Sequence, residues 1–293
     1  MKITPRSRPG TVEIILRSMI VGLAYAFADM LVAAILGPMS RLTPSLANLS
    51  IWFISGTLIC LSLSPFILHA NVSRRKTVLA VWGVQVFVRT LGLGIEGSLF
   101  KPTAALNAIA GAFFGIFVTL LISWLAVLLL MPADYIPEKD TELQRSWWGW
   151  AWRVLVVGLA YFIFYFIFGV TNALLYTKAF YENHPQYGLS LPPAGIIFLA
   201  QLIRGPLFGI GSMVILRAVS APRRQLAIWL GILLFMIGGV APYLEVTLRT
   251  MPIGFNLATL TEIFFQNFLT GVVAVLLFKS KAAAQTVKLA LQV

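Results

Sequence analysis

Four charged side chains fall inside apolar segments of the sequence, where an ionised group is costly. Arg89 and Arg204 lie near the middle of two such segments, and Asp29 and Glu262 lie in two others. A charge at the centre of a bilayer costs about 2.5–3.5 kcal/mol on insertion scales, so these residues are candidates for function. One interpretation is that the arginines line a cavity and bind the anionic group of a solute. The other is that they pair with Asp29 and Glu262 and tie the protein together.

Two prolines accompany these charges. Pro206 follows Arg204 after a single glycine, and Pro65 occupies a corresponding place in an earlier apolar segment. Proline removes a helical hydrogen bond, and helices interrupted at matching positions are typical of transport sites. We therefore expect both helices to be interrupted, and Pro206 joins the candidate solute-binding residues.

Two glutamates lie near the ends of related segments. Glu96 and Glu245 are each followed three residues later by leucine and soon afterwards by proline. A symmetric cation site is one interpretation of the pair. Because carboxylates at a membrane surface are usually hydrated, we expect water rather than a protein partner around them.

The sequence offers little material for catalysis. Its two histidines, His69 and His184, are far apart, and Cys60 is its single cysteine. Motifs such as HExxH are missing, and no nucleophile stands beside a base. We therefore predict no metal, no cofactor and no catalytic residue, and the pattern argues against an enzyme.

The composition determines which elements must position these residues. Hydrophobic residues make up 59% of the 293 residues and charged residues 11%, and the mean hydropathy is +0.89. Soluble proteins carry about 25% charged residues. A water-soluble protein is thereby excluded, and the partner of most of the surface is the lipid bilayer.

The apolar runs predict eight membrane-spanning helices. A helix needs about 20 residues to cross the hydrocarbon core, and these runs are long enough. They do not alternate with a period of two, which excludes a strand barrel. The predicted spans are 13–37, 50–70, 77–100, 104–131, 149–176, 194–218, 225–246 and 255–278.

The basic residues predict the topology. Fourteen lysines and arginines fall at the two termini and in every second connection, and four fall in the connections between. Short loops rich in lysine and arginine stay in the cytoplasm. We expect both termini to be cytoplasmic, in an inner or plasma membrane. The net charge of +12 therefore reports topology, and no nucleic-acid partner is predicted.

Similar segments recur in the same order and indicate a duplication. RSMIVGLAYAF (17–27) resembles RVLVVGLAYFI (153–163), and RRKTVLAVWG (74–83) resembles RRQLAIWLG (223–231). An insertion of about a dozen residues, placed at 181–193, accounts for the change in spacing. The prediction is two parallel four-helix repeats, 1–140 and 141–293, since four spans bring the chain back to the side where it started.

Two functions fit this pattern. Duplication, prolines and mid-membrane arginines are typical of a permease or secondary transporter that moves a small anionic solute through a cavity between the repeats. Short connections fit equally well a non-catalytic subunit that scaffolds or anchors a larger membrane complex. Because no Gly-rich phosphate loop is present, ATP hydrolysis would require an ATPase partner subunit.

Overall fold

The computed structural model describes residues 9–36, 45–100, 105–132, 145–187, 192–246 and 251–279. In these residues it contains eight helices long and apolar enough to cross a membrane and no β-strand, which confirms the predicted all-helical membrane protein. The helices are α1 (Thr11–Leu36), α2 (Leu46–Leu68), α3 (Arg74–Val84, Gln85–Leu91 and Gly92–Phe100), α4 (Ala105–Leu130), α5 (Trp147–Asn183), α6 (Ala194–Arg217), α7 (Arg223–Phe235, Met236–Val240 and Ala241–Val246) and α8 (Ile253–Phe278).

Three of the helices contain π-helical turns, which hold one more residue per hydrogen-bonded loop than an α-helix. In α3 the π-helical turn is Gln85–Leu91, and in α7 it is Met236–Val240. Helix α5 has two, Tyr165–Gly169 and Ala173–Thr177. Such turns change the direction in which all later side chains point, and nothing in the apolar periodicity predicts them.

One end of the bundle is held together by arginines that donate to the last carbonyls of neighbouring helices. Arg17 donates to Leu129 O, and Arg153 donates to Leu277 O at 3.0 Å. Arg74 donates to Pro132 O at 3.1 Å. These bonds place the starts of α1 and α3 beside the end of α4, and the start of α5 beside the end of α8. We call the end of the bundle where these arginines lie the basic end, and the opposite end the far end.

Two connections meet at the basic end in a short antiparallel bridge. Asn71 N donates to Ala218 O at 2.9 Å, and Ser220 N donates to His69 O at 3.1 Å. The α2–α3 connection thereby pairs with the α6–α7 connection around Ala70 and Val219. Backbone groups that the helix ends leave without partners are satisfied in this way.

Helices α5 and α6 pack at close range because glycines face one another. A Cβ atom on Gly158 would lie 2.7 Å from Pro206 N, and one on Gly205 would contact Gly158 O. One turn further on, a Cβ atom on Gly209 would lie 2.6 Å from Val154 O. Small residues allow such an approach in membranes, and here it brings the backbone that carries Arg204 against α5.

Helix α5 is longer than predicted, since it continues past residue 176 to Asn183. The additional residues are covered by aromatic packing at the far end. The Phe180 ring lies 4.6 Å from that of Phe255 and 4.5 Å from that of His184, and Met251 is buried in the same cluster. Part of the predicted insertion at 181–193 thus extends a helix and leads into the 3-10 turn Pro185–Tyr187.

Candidate functional site

The first charged cluster joins α1, α2 and α3 to α7. Arg89 Nη2 lies 2.8 Å from Glu245 Oε1 and 2.9 Å from Oε2. The Tyr25 hydroxyl donates to the same carboxylate at 3.0 Å, and so does the Ser55 hydroxyl. Arg89 also lies over the Tyr25 ring, 4.9 Å from its centroid. The charges are thus paired and hydrogen-bonded, as buried charges must be.

The second charged cluster joins α6 to α3. Arg204 Nη2 lies 2.7 Å from Glu96 Oε2, and Arg204 Nη1 donates to Gln201 Oε1 at 3.1 Å. The guanidinium carbon lies 5.6 Å from the centroid of the Tyr161 ring. Arg204 is 3% exposed, whereas the Glu96 side chain is 32% exposed. The arginine therefore meets its counter-ion at the wall of an open space.

These partners correct two predictions. Pairing of the arginines with Asp29 and Glu262 is wrong, because the ion pairs go to Glu245 and Glu96 instead. A purely hydrated environment for the two glutamates is wrong for the same reason. The physical cause is side-chain direction: Cα–Cβ bonds tilt towards the N-terminus of a helix. Glutamates near the far ends of α3 and α7 therefore point back towards the middle of the bundle.

Asp29 and Glu262 each lie beside one of the two clusters. The Asp29 carboxylate lies near the hydroxyl of Tyr25, one turn earlier on α1. The Glu262 carboxylate accepts a hydrogen bond of 2.6 Å from Asn172 Nδ2. Its other oxygen would lie 2.9 Å from a Cβ atom on Gly169, so this glycine makes room for the carboxylate. Each cluster thus holds one arginine and two carboxylates.

Pro206 has a packing position rather than a binding one. Helix α6 continues through Pro206, and α2 continues through Pro65, so the predicted interruptions are wrong. The Pro206 ring lies against Gly158, where a Cβ atom would be 3.0 Å from its Cδ. Neighbouring helices allow proline to stay inside a membrane helix. The irregular backbone lies in the π-helical turns of α3, α5 and α7 instead.

A cavity of about 470 Å³ opens beside the second cluster. Arg204 and Glu262 line it, together with Glu96, and these are the candidate residues that the structure brings together. Arg89, Asp29 and Pro206 are not among its described lining residues. Its π-helical wall in α5 contributes Tyr165, Phe166, Gly169, Ala173 and Thr177, and the aromatic cluster at the far end contributes Tyr181, Met251 and Phe255.

In comparisons with protein-family models, curated proteins and solved structures, nothing matches this chain. The size of the cavity is within the range of small-molecule sites, about 300–1,000 Å³, which are mostly apolar with a few converging polar groups. Within the described ranges, no three His, Cys, Asp or Glu side chains come together to hold a metal ion.

Two buried hydrogen-bond donors at the cavity lack a partner among the described residues. They are Nε of Arg204 and Nε2 of Gln266, and both side chains are 3% exposed. A buried donor without an acceptor costs about 1–3 kcal/mol. The polar wall of the cavity therefore has unused donor capacity.

Sequence reasoning missed most of this polar wall. Gln266 and Asn267 are uncharged, and an amide inside a membrane helix attracts less attention than a charge. Gln266 nevertheless stands one helical turn after Glu262 on α8, and i, i+4 spacing places both on one face. That spacing was the available signal. Tyr161 begins the aromatic run YFIFYFIF (161–168), which is typical of lipid or core packing, and it lies against Arg204.

Proposed function

We propose that this protein is a membrane permease of the secondary-transporter type, which binds a small solute in the cavity between α3, α5, α6, α7 and α8. The observation that carries the proposal is the combination of a largely apolar cavity with a buried ion pair, a second carboxylate and two unused donors. Intramembrane charges that face a cavity are typical of solute pathways. A purely structural charge network needs no such space beside it.

We further propose that the fold arose by duplication of a four-helix unit, residues 1–140 and 141–293. The bridge between Ala70 and Val219 supports this, because the two residues that it joins are 149 positions apart in the sequence, since 219 − 70 = 149. The same interval relates Glu96 to Glu245. Arg17 and Arg153 support it as well, since each donates to a carbonyl near the end of the last helix of its own half.

We also propose that this protein lies in the cell membrane and that its basic end faces the cytoplasm. The support is the positive-inside rule, applied to the arginines that gather at that end. The two ion pairs do not support the expected anionic solute. Both arginines that suggested it have a carboxylate within 2.8 Å, so neither carries an uncompensated charge.

Blocking the cavity is expected to abolish solute binding and uptake without unfolding the protein. Thr259 lines the cavity on α8, and tryptophan at this position would fill a large part of the space. Leu257 lies on the same helix and is 59% exposed, so Leu257→Trp is the matched control. Compounds that raise the melting temperature of the purified protein identify ligands, and uptake of those ligands into proteoliposomes measures transport.

We expect ligands to stabilise the unmodified protein and Leu257→Trp and to leave Thr259→Trp unchanged. Equal stabilisation of both variants would place binding elsewhere. Failure of every stabilising compound to enter proteoliposomes would contradict transport. A partner protein that co-purifies at fixed stoichiometry, together with the absence of any ligand, would favour the scaffold subunit instead.

A further inference from the structure

The described wall of the cavity carries one negative charge more than it carries positive ones. Arg204 and Glu96 form a neutral pair at 2.7 Å. Glu262 has only a neutral partner, the Asn172 amide, at 2.6 Å. A carboxylate in apolar surroundings is costly unless a positive charge accompanies it. The charge that this cavity lacks is therefore a cation.

The apolar part of the wall suits a cation as well as an aromatic body. Tyr161, Tyr165, Phe166, Tyr181 and Tyr243 contribute rings to it. Ring faces attract cations, with energies that rise to about 2 kcal/mol or more where water is excluded. The same rings repel an anion, which would in addition meet two carboxylates. Charge and lining favour the same class of ligand.

The unused donors indicate that the ligand also carries a hydrogen-bond acceptor. Gln266 follows Glu262 by one turn of α8, a rise of about 6 Å. Nε2 of Gln266 and Nε of Arg204 both lack an acceptor in the described part of the chain. Because both nitrogens are buried, a ligand oxygen placed a short distance from the cationic group would accept from them after the Gln266 and Arg204 side chains turn towards the cavity, while the cation stays at Glu262.

We infer that the cavity binds hydrophobic organic cations, in which an ammonium group pairs with Glu262 and a nearby neutral oxygen accepts from Gln266 and Arg204. The inference rests on the proposed function only for the location of the site, because it concerns what the cavity binds and not whether the ligand is moved. It replaces the anionic solute by an amine of opposite charge.

Four compounds that share a phenyl-alkyl body provide the test. They are 2-amino-1-phenylethanol, a cation with a hydroxyl; phenethylamine, a cation without one; phenylalanine, a zwitterion; and 3-phenyllactate, an anion. Affinities are measured by titration of the purified full-length protein in detergent. We expect the amino alcohol to bind at least tenfold more tightly than the zwitterion or the anion, and about threefold more tightly than phenethylamine.

Glu262→Gln keeps the size of the side chain and its bond from Asn172 and removes the charge. We expect it to weaken binding of both amines by at least tenfold. Glu182→Gln, at an exposed position near the end of α5, makes the same charge change outside the cavity and should have no effect. Gln266→Leu should abolish the advantage of the amino alcohol over phenethylamine. Amine binding that survives Glu262→Gln would overturn the inference.

A measurement that needs no ligand gives an independent answer. Thr259→Cys in a Cys60→Ala background can be labelled with a trimethylammonium or a sulfonate methanethiosulfonate reagent. Relative to free cysteine, we expect the cationic reagent to react at least fivefold faster than the anionic one, and Glu262→Gln to remove most of this preference. An unchanged preference would overturn the inference.

The two proposals fail in different ways. Tight amine binding without uptake would contradict transport and leave the ligand class intact. Tighter binding and uptake of 3-phenyllactate or phenylalanine would support transport and overturn the ligand class.

Discussion

Replacing Arg89 by methionine is expected to lower the free energy of unfolding by about 3–5 kcal/mol, because it leaves the Glu245 carboxylate buried without a counter-ion. The two side chains are each 12% exposed, so water cannot replace the lost partner. Glu245→Leu should lower the free energy of unfolding by a similar amount, because it leaves the Arg89 guanidinium buried without a counter-ion. Titration with a denaturing detergent, followed by circular dichroism, measures the loss.

The double variant separates an ion pair from two independent packing contacts. Arg89→Met with Glu245→Leu should recover most of the lost stability, since replacing both members of a buried pair by apolar groups is often neutral. Glu13→Gln removes an exposed pair with Arg17 and should cost no more than about 1 kcal/mol. If the double variant were as unstable as the sum of the single ones, Arg89 and Glu245 would not be energetically coupled.

Gly158→Ala is expected to destabilise the protein by about 3 kcal/mol, the upper part of the usual range for overpacking. The new methyl group would lie 2.7 Å from Pro206 N and 2.9 Å from Gly205 C. Both are backbone atoms of α6, so relief requires the two helices to separate. Separation would also move Arg204 away from Tyr161, and bound ligand should therefore stabilise the variant less than the unmodified protein.

Gly111→Ala is the control, because Gly111 begins a motif of two glycines four residues apart, as Gly205 does in the helix that packs against Gly158. Nothing lies within 4 Å of a Cβ atom at this position. Alanine favours a helix over glycine by about 1 kcal/mol, so Gly111→Ala should be neutral or slightly stabilising. Equal losses for the two variants would mean that close packing of α5 on α6 is not what Gly158 provides.

The sequence predicts the eight helices because their signal is local. Each span is a continuous apolar run, and the basic residues between spans repeat regularly. It also places Arg89 and Arg204 correctly inside the membrane spans. The partners of these arginines depend on which helices adjoin and on the direction of each side chain. A count of residues along a straight helix gives no information on either. Glu96 was therefore assigned to the surface although it pairs with Arg204.

A cavity beside an arginine is part of the permease prediction, but the residues that form its wall could not be predicted, for a different reason. Its wall in α5 is made of two π-helical turns, and these turns result from the packing of the whole bundle rather than from a short motif. The first cluster contains the same kinds of groups: Arg89 beside Tyr25, with Glu245 and Asp29. It is not part of the cavity wall, whereas Arg204 beside Tyr161 is. Residue type alone therefore does not show which of the two charged clusters lies beside the cavity.

The π-helical turns of α3 and α7 determine where these helices tolerate a change in length. Glu96 follows the turn Gln85–Leu91 by five residues, and Glu245 follows Met236–Val240 by five residues. A wide turn holds one residue more than an α-helical turn, so loss of that residue would restore a regular α-helix and leave the later side chains pointing as before. Loss of a residue from the α-helical part between the turn and the glutamate would instead rotate the glutamate by about 100°, away from its arginine. During evolution, a one-codon deletion would therefore preserve the ion pair inside these turns and break it just after them.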